Sequence, residues 1–195
     1  FQNVSMEFEK GNSYGFVGPN GCGKSVFFKT LCGYSILTEG QVIYRGKIIG
    51  KEQDFIDDAG IVIEEPEFIN SLSGLENLKI LAEIQKKISE AEIIEVLKQF
   101  DLYEDRNKKV GKYSVGMKQK LRLAQAVMEK PQVLILDEPM NGLDKKSVKK
   151  VEDILKAFVE NGGTLLMTSH IEQQVEACCK IVYEIDGGEI LRGTD

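Results

Sequence analysis

One eight-residue run constrains this chain more than any other feature. Gly18-Pro19-Asn20-Gly21-Cys22-Gly23-Lys24-Ser25 fits the pattern G-x-x-x-x-G-K-[ST]. Residues 14–17 before it form a short apolar and aromatic run, which reads as a buried strand entering a glycine turn. Residues 26–32 after it read as a helix ended by Gly33. Strand, glycine loop and helix in this order are the context the pattern requires. Glycines let backbone N–H groups curl around phosphate oxygens, and the helix N-terminus adds a favourable dipole. Lys24 would reach the β- and γ-phosphates, and Ser25 would supply a hydroxyl to Mg²⁺. The blander reading is a chance glycine-rich turn, and the flanking elements argue against it.

The rest of the chain alternates. Residues 4–8 read as extended, as do 41–44 and 60–63. From Ser71 to Met128 the character is helical: Leu75, Leu78, Leu81 and Ala82 recur at helical spacing, as do Ile93, Val96, Leu97 and Phe100, and then Leu121, Ala124, Val127 and Met128. Strand signals return at 133–136 and 164–167, with an amphipathic helix marked by Val148, Val151, Ile154 and Leu155 between them. A further helix carries Ile171, Val175 and Cys178. Residues 181–185 and 189–191, joined through Asp186-Gly187-Gly188, read as a terminal hairpin. There is no internal repeat. This pattern predicts an α/β architecture with a largely parallel central sheet around a helical insertion.

Three further constellations carry chemistry. The strand 133–136 ends on Asp137-Glu138, where open α/β sheets bind ligands. Asp137 would hold the Mg²⁺ shell, and Glu138 would orient or deprotonate an attacking water. Taken alone, the pair could equally be a strand followed by a helix-capping acid. His170, the single histidine, follows the strand 164–167. Its imidazole could hydrogen-bond a γ-phosphate or hold the glutamate, although a lone histidine is more often structural. Finally, Tyr113-Ser114-Val115-Gly116-Met117-Lys118-Gln119 precedes the helix of Leu121 to Met128. Ser114 suits an N-cap, Gly116 permits close approach, and a helix N-terminus is a second anion site far along the chain from the first.

These elements, in this order and over essentially the whole chain, resemble the ATP-binding domains of ABC proteins. Gly18 to Ser25 looks like Walker A and Val133 to Glu138 like Walker B. The run from Ser114 matches the ABC signature, Asn141-Gly142-Leu143-Asp144 is similar to the D-loop, and His170 matches the switch histidine. The resemblance implies a RecA-like P-loop NTPase core, with a helical subdomain inserted between Walker A and Walker B. The core would comprise residues 1–70 and 131–195, and the subdomain 71–130 would carry the signature. It implies nucleotide contacts from Gly18, Pro19, Asn20, Gly21, Cys22, Gly23, Lys24, Ser25 and Val26, and from Ser114 and Gly116 of a partner. Glu138, His170 and Lys24 are implied as catalytic, and Ser25, Asp137 and Glu64 as Mg²⁺ ligands. Two such domains, as a homodimer or heterodimer, would sandwich ATP and drive an integral membrane permease from the cytoplasmic face of the membrane.

Three departures from the family pattern stand out. The signature has Tyr113, Ser114, Val115, Gly116 and Met117 where Leu-Ser-Gly-Gly-Gln is commonest. Glu64 occupies the Gln-loop position, adding negative charge near the phosphates. Both resemble the bacitracin- and lantibiotic-resistance branch, which suggests export of antimicrobial peptides or drugs. The family also places a first strand and an adenine-stacking aromatic upstream of Phe1. Both are therefore expected to be missing, leaving a sheet edge open and the chain reading as a piece of a longer one.

Composition bears on what competes with this reading. A net charge of −6 gives no basic footprint for nucleic acid. No apolar run is long enough to cross a bilayer, so another chain or domain would supply the spans. No leader resembles a signal peptide. Cys22, Cys32, Cys178 and Cys179 have neither zinc-ligand nor framework spacing, and read as reduced thiols of an intracellular protein. The alternatives are a soluble ABC ATPase of translation or repair and a nucleotide-binding regulatory module without turnover. A small-molecule P-loop kinase would leave the signature and His170 unexplained.

Overall fold

Period-two alternation in the buried strands dictates the layering. In the computed structural model, which describes residues 1–64 and 68–192, strand β1 spans Ser13–Val17, β5 Val133–Leu136 and β6 Thr164–Ser169. Tyr14, Phe16, Ile135 and Leu166 pack with Phe27, Phe28 and Cys32 of helix α1, Lys24–Cys32. Their neighbours Leu134, Leu136, Leu165 and Met167 point the other way, into a larger cluster. That cluster receives helices α2 (Gly74–Gln85), α3 (Glu90–Gln99), α4 (Val115–Val127), α5 (Lys145–Glu160) and α6 (Glu172–Cys178). Successive strand residues face opposite sides of a sheet, so helices on both faces require near-continuous apolar strands.

The main sheet runs β4-β5-β6-β1-β7-β8, with β4 at Ala59–Val62, β7 at Ile181–Asp186 and β8 at Glu189–Arg192. β1 lies parallel between β6 and β7, and β4 and β6 flank β5 in parallel. Only β8 is antiparallel, closing the expected hairpin with β7. Gly187 and Gly188 turn it at φ 54° and 85°, the left-handed pair that a two-residue hairpin loop needs.

Two expectations need correction. Residues 4–8 carry no strand, because both edges of β1, to which they connect, are already taken by β6 and β7. Phe8 instead packs its ring edge-on against Tyr14, with centroids 4.9 Å apart. The extended stretch at 41–44 is reduced to β2, Ile43–Tyr44, which pairs with β3, Lys47–Ile48, in a separate two-stranded ladder.

The helical segment between β4 and β5 is locally well specified. Ser73 caps α2 and Ser89 caps α3, each in a reciprocal box with Glu76 and Glu92. α4 lies close against β4, where a Cβ on Gly60 would stand 2.0 Å from the Ala126 carbonyl oxygen. No helix among the described residues is long and apolar enough to cross a membrane.

Candidate nucleotide site

The C-terminal ends of β1, β5 and β6 converge on one edge of the sheet. Because β6 stands between β5 and β1, the loops that follow all three meet there. The loop after β1 leads to α1 on one face, while the loops after β5 and β6 lead to α5 and α6 on the other. Such a divergence opens a crevice for ligands. A pocket of roughly 220 Å³ lies here, lined by Asn20, Gly21, Gly23, Lys24, Ser25, Val26, Asp137 and Glu138.

The 18–25 loop joins β1 to α1, and its residues Asn20, Gly21, Gly23, Lys24 and Ser25 line the pocket. Gly23 precedes α1 at φ 108°, a conformation open to glycine. Helices α2 to α5 are each capped by a side chain, from Ser73, Ser89, Ser114 and Asp144, but α1 has no side-chain cap. The first-turn N–H groups of a helix have no intrahelical partner, so an uncapped N-terminus facing a pocket suits an anion. Lys24 is only 6% exposed. Its ammonium turns back on its own loop, donating to the Gly18 carbonyl at 2.8 Å and the Pro19 carbonyl at 3.2 Å. Phe1 packs its ring against Phe27 beside this loop, with centroids 5.6 Å apart.

Opposite the loop lie the acids. Ser25 Oγ donates to Asp137 Oδ2. Thr168 Oγ1 donates to Asp137 Oδ1 at 2.6 Å and accepts the Glu138 N–H at 2.9 Å. Sheet register explains the meeting: Leu136 pairs with Met167, so the next residues along each strand face one another. Glu138 adopts φ 49°, a left-handed conformation rare for residues with a side chain. Its Oε2 lies 2.9 Å from His170 Nδ1, and its Oε1 lies 3.6 Å from Lys24 Nζ. Oε1 is buried with no hydrogen-bond partner among the described residues. A buried carboxylate oxygen without a hydrogen-bond donor beside a polar crevice suits a water, an ion or a substrate proton.

Not every expected residue is assembled here. Glu64 follows β4, but its carboxylate pairs with Lys29 of α1, and Glu64 is not among the residues that line the pocket. Ser114 and Gly116 stand at the N-terminus of α4, outside the pocket. Ser114 Oγ accepts the Met117 N–H at 3.2 Å. A Cβ on Gly116 would approach the Gly142 carbonyl oxygen to 3.0 Å, so in this chain α4 begins against the Asn141-Gly142-Leu143 turn. Asp144 ends that turn by capping α5 through the Ser147 N–H, and this bond holds its carboxyl below the usual range. Two further residues at the site, Thr168 and Gln119, have no role assigned from sequence. Thr168 carried a signal only in its place at the end of a core strand. Gln119 is 5% exposed and donates from Nε2 to the Pro139 carbonyl at 2.8 Å, and it carried none.

Fold and site together define a P-loop nucleotide-binding domain. The family described as ABC transporter matches residues 1–141. An uncharacterized ABC transporter ATP-binding protein, YybJ of Bacillus subtilis (strain 168), is 38% identical over 96% of this chain and 86% of its own length. The lantibiotic transport ATP-binding protein SrtF of Streptococcus pyogenes is 34% identical over 97% of this chain and 81% of its own length. The bacitracin transport ATP-binding protein BcrA of Enterococcus faecalis is 33% identical over 96% of this chain, which spans 62% of BcrA. Among solved structures, an ATP-binding subunit of an ABC transporter superposes with a TM-score of 0.86 at 25% identity, covering 98% of this chain and 82% of that one. A dimeric ATP-binding cassette in a post-hydrolysis state with ADP and Pi shares the fold at a TM-score of 0.85 and 24% identity, over 98% of this chain and 90% of that one. The chain belongs to the ABC transporter family, among its ATP-binding, ATPase subunits.

Proposed function

We propose that this chain binds ATP with Mg²⁺ in the crevice between the 18–25 loop and Asp137-Glu138, and hydrolyses it to drive an integral membrane permease. The observation that carries the reading is the buried Oε1 of Glu138, which has no hydrogen-bond partner among the described residues, lies 3.6 Å from Lys24 Nζ and is backed by His170 on Oε2. In use, Lys24 exchanges the Gly18 and Pro19 carbonyls for phosphate oxygens, and the first-turn amides of α1 receive the remaining negative charge. Glu138 Oε1 accepts the proton of the attacking water, while His170 keeps Oε2 turned away from it.

The donor set fits Mg²⁺. Ser25 and Asp137 are already in contact, and no group of three or more metal-ligating His, Cys, Asp or Glu side chains assembles among the described residues. One or two protein oxygens plus substrate phosphates and water is how Mg²⁺ is usually held in phosphoryl-transfer sites. The ion supplies charge neutralisation at the phosphates when bound. Lys29 competes for Glu64, so Glu64 joins that shell only if its ion pair opens.

The position of Ser114 and Gly116 outside the pocket supports a paired arrangement, in which α4 of one copy completes the site of another. In this reading residues 1–70 and 131–195 form the nucleotide-binding core, and 71–130 form a helical lobe that carries the partner-facing end of α4. The names of SrtF and BcrA support an exporter of antimicrobial peptides or drugs at the cytoplasmic face of the membrane.

Light scattering of the Glu138→Gln variant with and without ATP, alongside phosphate release by the unmodified chain, tests the proposal. Steady phosphate release and an ATP-dependent shift of the variant from monomer to dimer are expected. Nucleotide binding without turnover in the unmodified chain would instead favour a regulatory module.

A further inference from the structure

The turn that carries Glu138 is strained and must be held. Glu138 is a non-glycine residue at φ 49°, and it precedes Pro139, whose ring restricts the backbone of the residue before it. Such a conformation persists only where the surroundings over-determine it. Three hydrogen bonds do so. Thr168 Oγ1 accepts the Glu138 N–H at 2.9 Å, the Glu138 carbonyl accepts the Asn141 N–H at 3.2 Å, and the Pro139 carbonyl accepts Gln119 Nε2 at 2.8 Å. The first two come from the strands and from the turn itself. The third comes from outside, from the middle of α4.

Gln119 is well built for this task. It is buried, so its amide has little water to turn to. A side-chain amide can present either its oxygen or its nitrogen, and the neighbour decides which. Arg122 Nη1 donates to Gln119 Oε1 at 3.1 Å. A guanidinium has only donors, so it fixes that end of the amide as the oxygen and aims Nε2 at the Pro139 carbonyl. α4 also begins close against the next turn, where a Cβ on Gly116 would stand 3.0 Å from the Gly142 carbonyl oxygen.

We propose that Gln119 is a positioning residue for hydrolysis: by clamping the Pro139 carbonyl, it keeps the Glu138 turn in the left-handed conformation that directs Oε1 into the crevice. This rests on the reading of Glu138 as the base. The phosphate-binding loop lies on the other side of the crevice and does not touch Gln119. Losing the clamp therefore slows the chemical step without weakening nucleotide binding, because small displacements of a reacting group are expensive in rate and cheap in binding.

The test uses Gln119→Met and Gln119→Glu in the full chain, with ATP turnover expressed per ADP-binding site. Met keeps the length of the side chain and removes its polarity, whereas Glu keeps the shape and the Arg122 partner, removes the donor and adds a negative charge that the Arg122 guanidinium offsets. The expected result is a loss of roughly ten- to a hundredfold in kcat, with KM for ATP, ADP affinity and ADP stoichiometry unchanged. If Gln119→Met fails to bind ADP, Gln119→Glu decides by the same criterion. A second readout separates positioning from general damage. Combined with Glu138→Gln, the Gln119 substitution leaves the residual rate of Glu138→Gln where it was, because residues acting as a unit are non-additive. Wild-type kcat in Gln119→Glu, a raised KM with kcat intact, or a further loss in the double variant would each overturn the proposal. Wild-type turnover by Glu138→Gln alone would instead remove the reading of Glu138 on which it rests.

Discussion

Oε2 of Glu138 lies 2.9 Å from Nδ1 of His170, a contact that ties the end of β5 to the end of β6 across the mouth of the crevice. It leaves the other oxygen, Oε1, as the one free to act. Replacing His170 with alanine releases the carboxylate to rotate and lets Lys24, 3.6 Å away, draw it fully into an ion pair. The expected outcome is a fall in kcat of about 10²-fold, the scale at which a single preorganised group contributes. KM for ATP should stay nearly constant, because the phosphate-binding loop is untouched. Steady-state phosphate release checks this, and a rise in KM at constant kcat would place His170 on the nucleotide instead.

Ser25 and Asp137 share a hydrogen bond at the edge of the same crevice. If they jointly hold Mg²⁺, Ser25→Ala removes one oxygen ligand and also one of the two hydroxyls that orient the Asp137 carboxylate, the other being Thr168. The Mg²⁺ concentration for half-maximal ATPase should rise by about ten- to a hundredfold, in line with the loss of a ligand-orienting partner. Binding of ATP in the presence of a chelator should be unchanged. A Mg²⁺ dependence identical to that of the unmodified chain would remove Ser25 from the metal site.

Much of this was legible in the sequence, and what was not shares one cause. The 18–25 loop and Asp137-Glu138 are contiguous motifs at strand ends, so local spacing located them and the parallel sheet brought them together. His170 was legible because it follows a core strand. Thr168 was not, since its contacts with Asp137 and Glu138 depend on β5 and β6 being neighbours in register. Gln119 stands in the signature-like run from Ser114 but carries no role of its own there, because its partner lies twenty residues away on a turn. Glu64 was placed correctly after β4, but nothing local could reveal that Lys29 would take its carboxylate. The extended reading of residues 4–8 failed for the same reason. Whether an apolar stretch becomes a strand depends on a free edge, and β1 offers none.

Close packing between α4 and β4 makes Gly60 a test of how the helical segment is seated. A Cβ there would stand 2.0 Å from the Ala126 carbonyl oxygen and 2.7 Å from Leu134 Cδ2. The first obstacle is backbone, so α4 as a whole must move. Gly60→Ala should destabilise the chain by about 1–3 kcal/mol, the usual cost of overpacking. Urea unfolding measures this as a lower midpoint with an unchanged slope. Because α4 carries Gln119, ATP turnover at low denaturant should fall as well.

Acid should weaken the caps of the helical segment. The Lys130 ammonium and the Ser89 N–H and hydroxyl bond the Glu92 carboxylate and hold its pKa down to about 2. Ser73 likewise lowers the pKa of Glu76 through the cap of α2. In an unfolded chain such a glutamate titrates near ~4.3. The folded state therefore binds fewer protons between these values, and the stabilisation is fully present above ~4.3 and is lost as pH falls toward the folded pKa. The urea midpoint should be steady from neutral pH down to roughly 5 and drop below that. Glu92→Gln should lower the midpoint at pH 7, with the difference from the unmodified chain closing as the acid limb is entered. Glu129 works in the opposite direction, since burial raises its carboxyl pKa. Glu129→Gln should thus raise the midpoint at pH 7, and a decrease there would mean that its Coulombic attraction to Lys87 outweighs its desolvation.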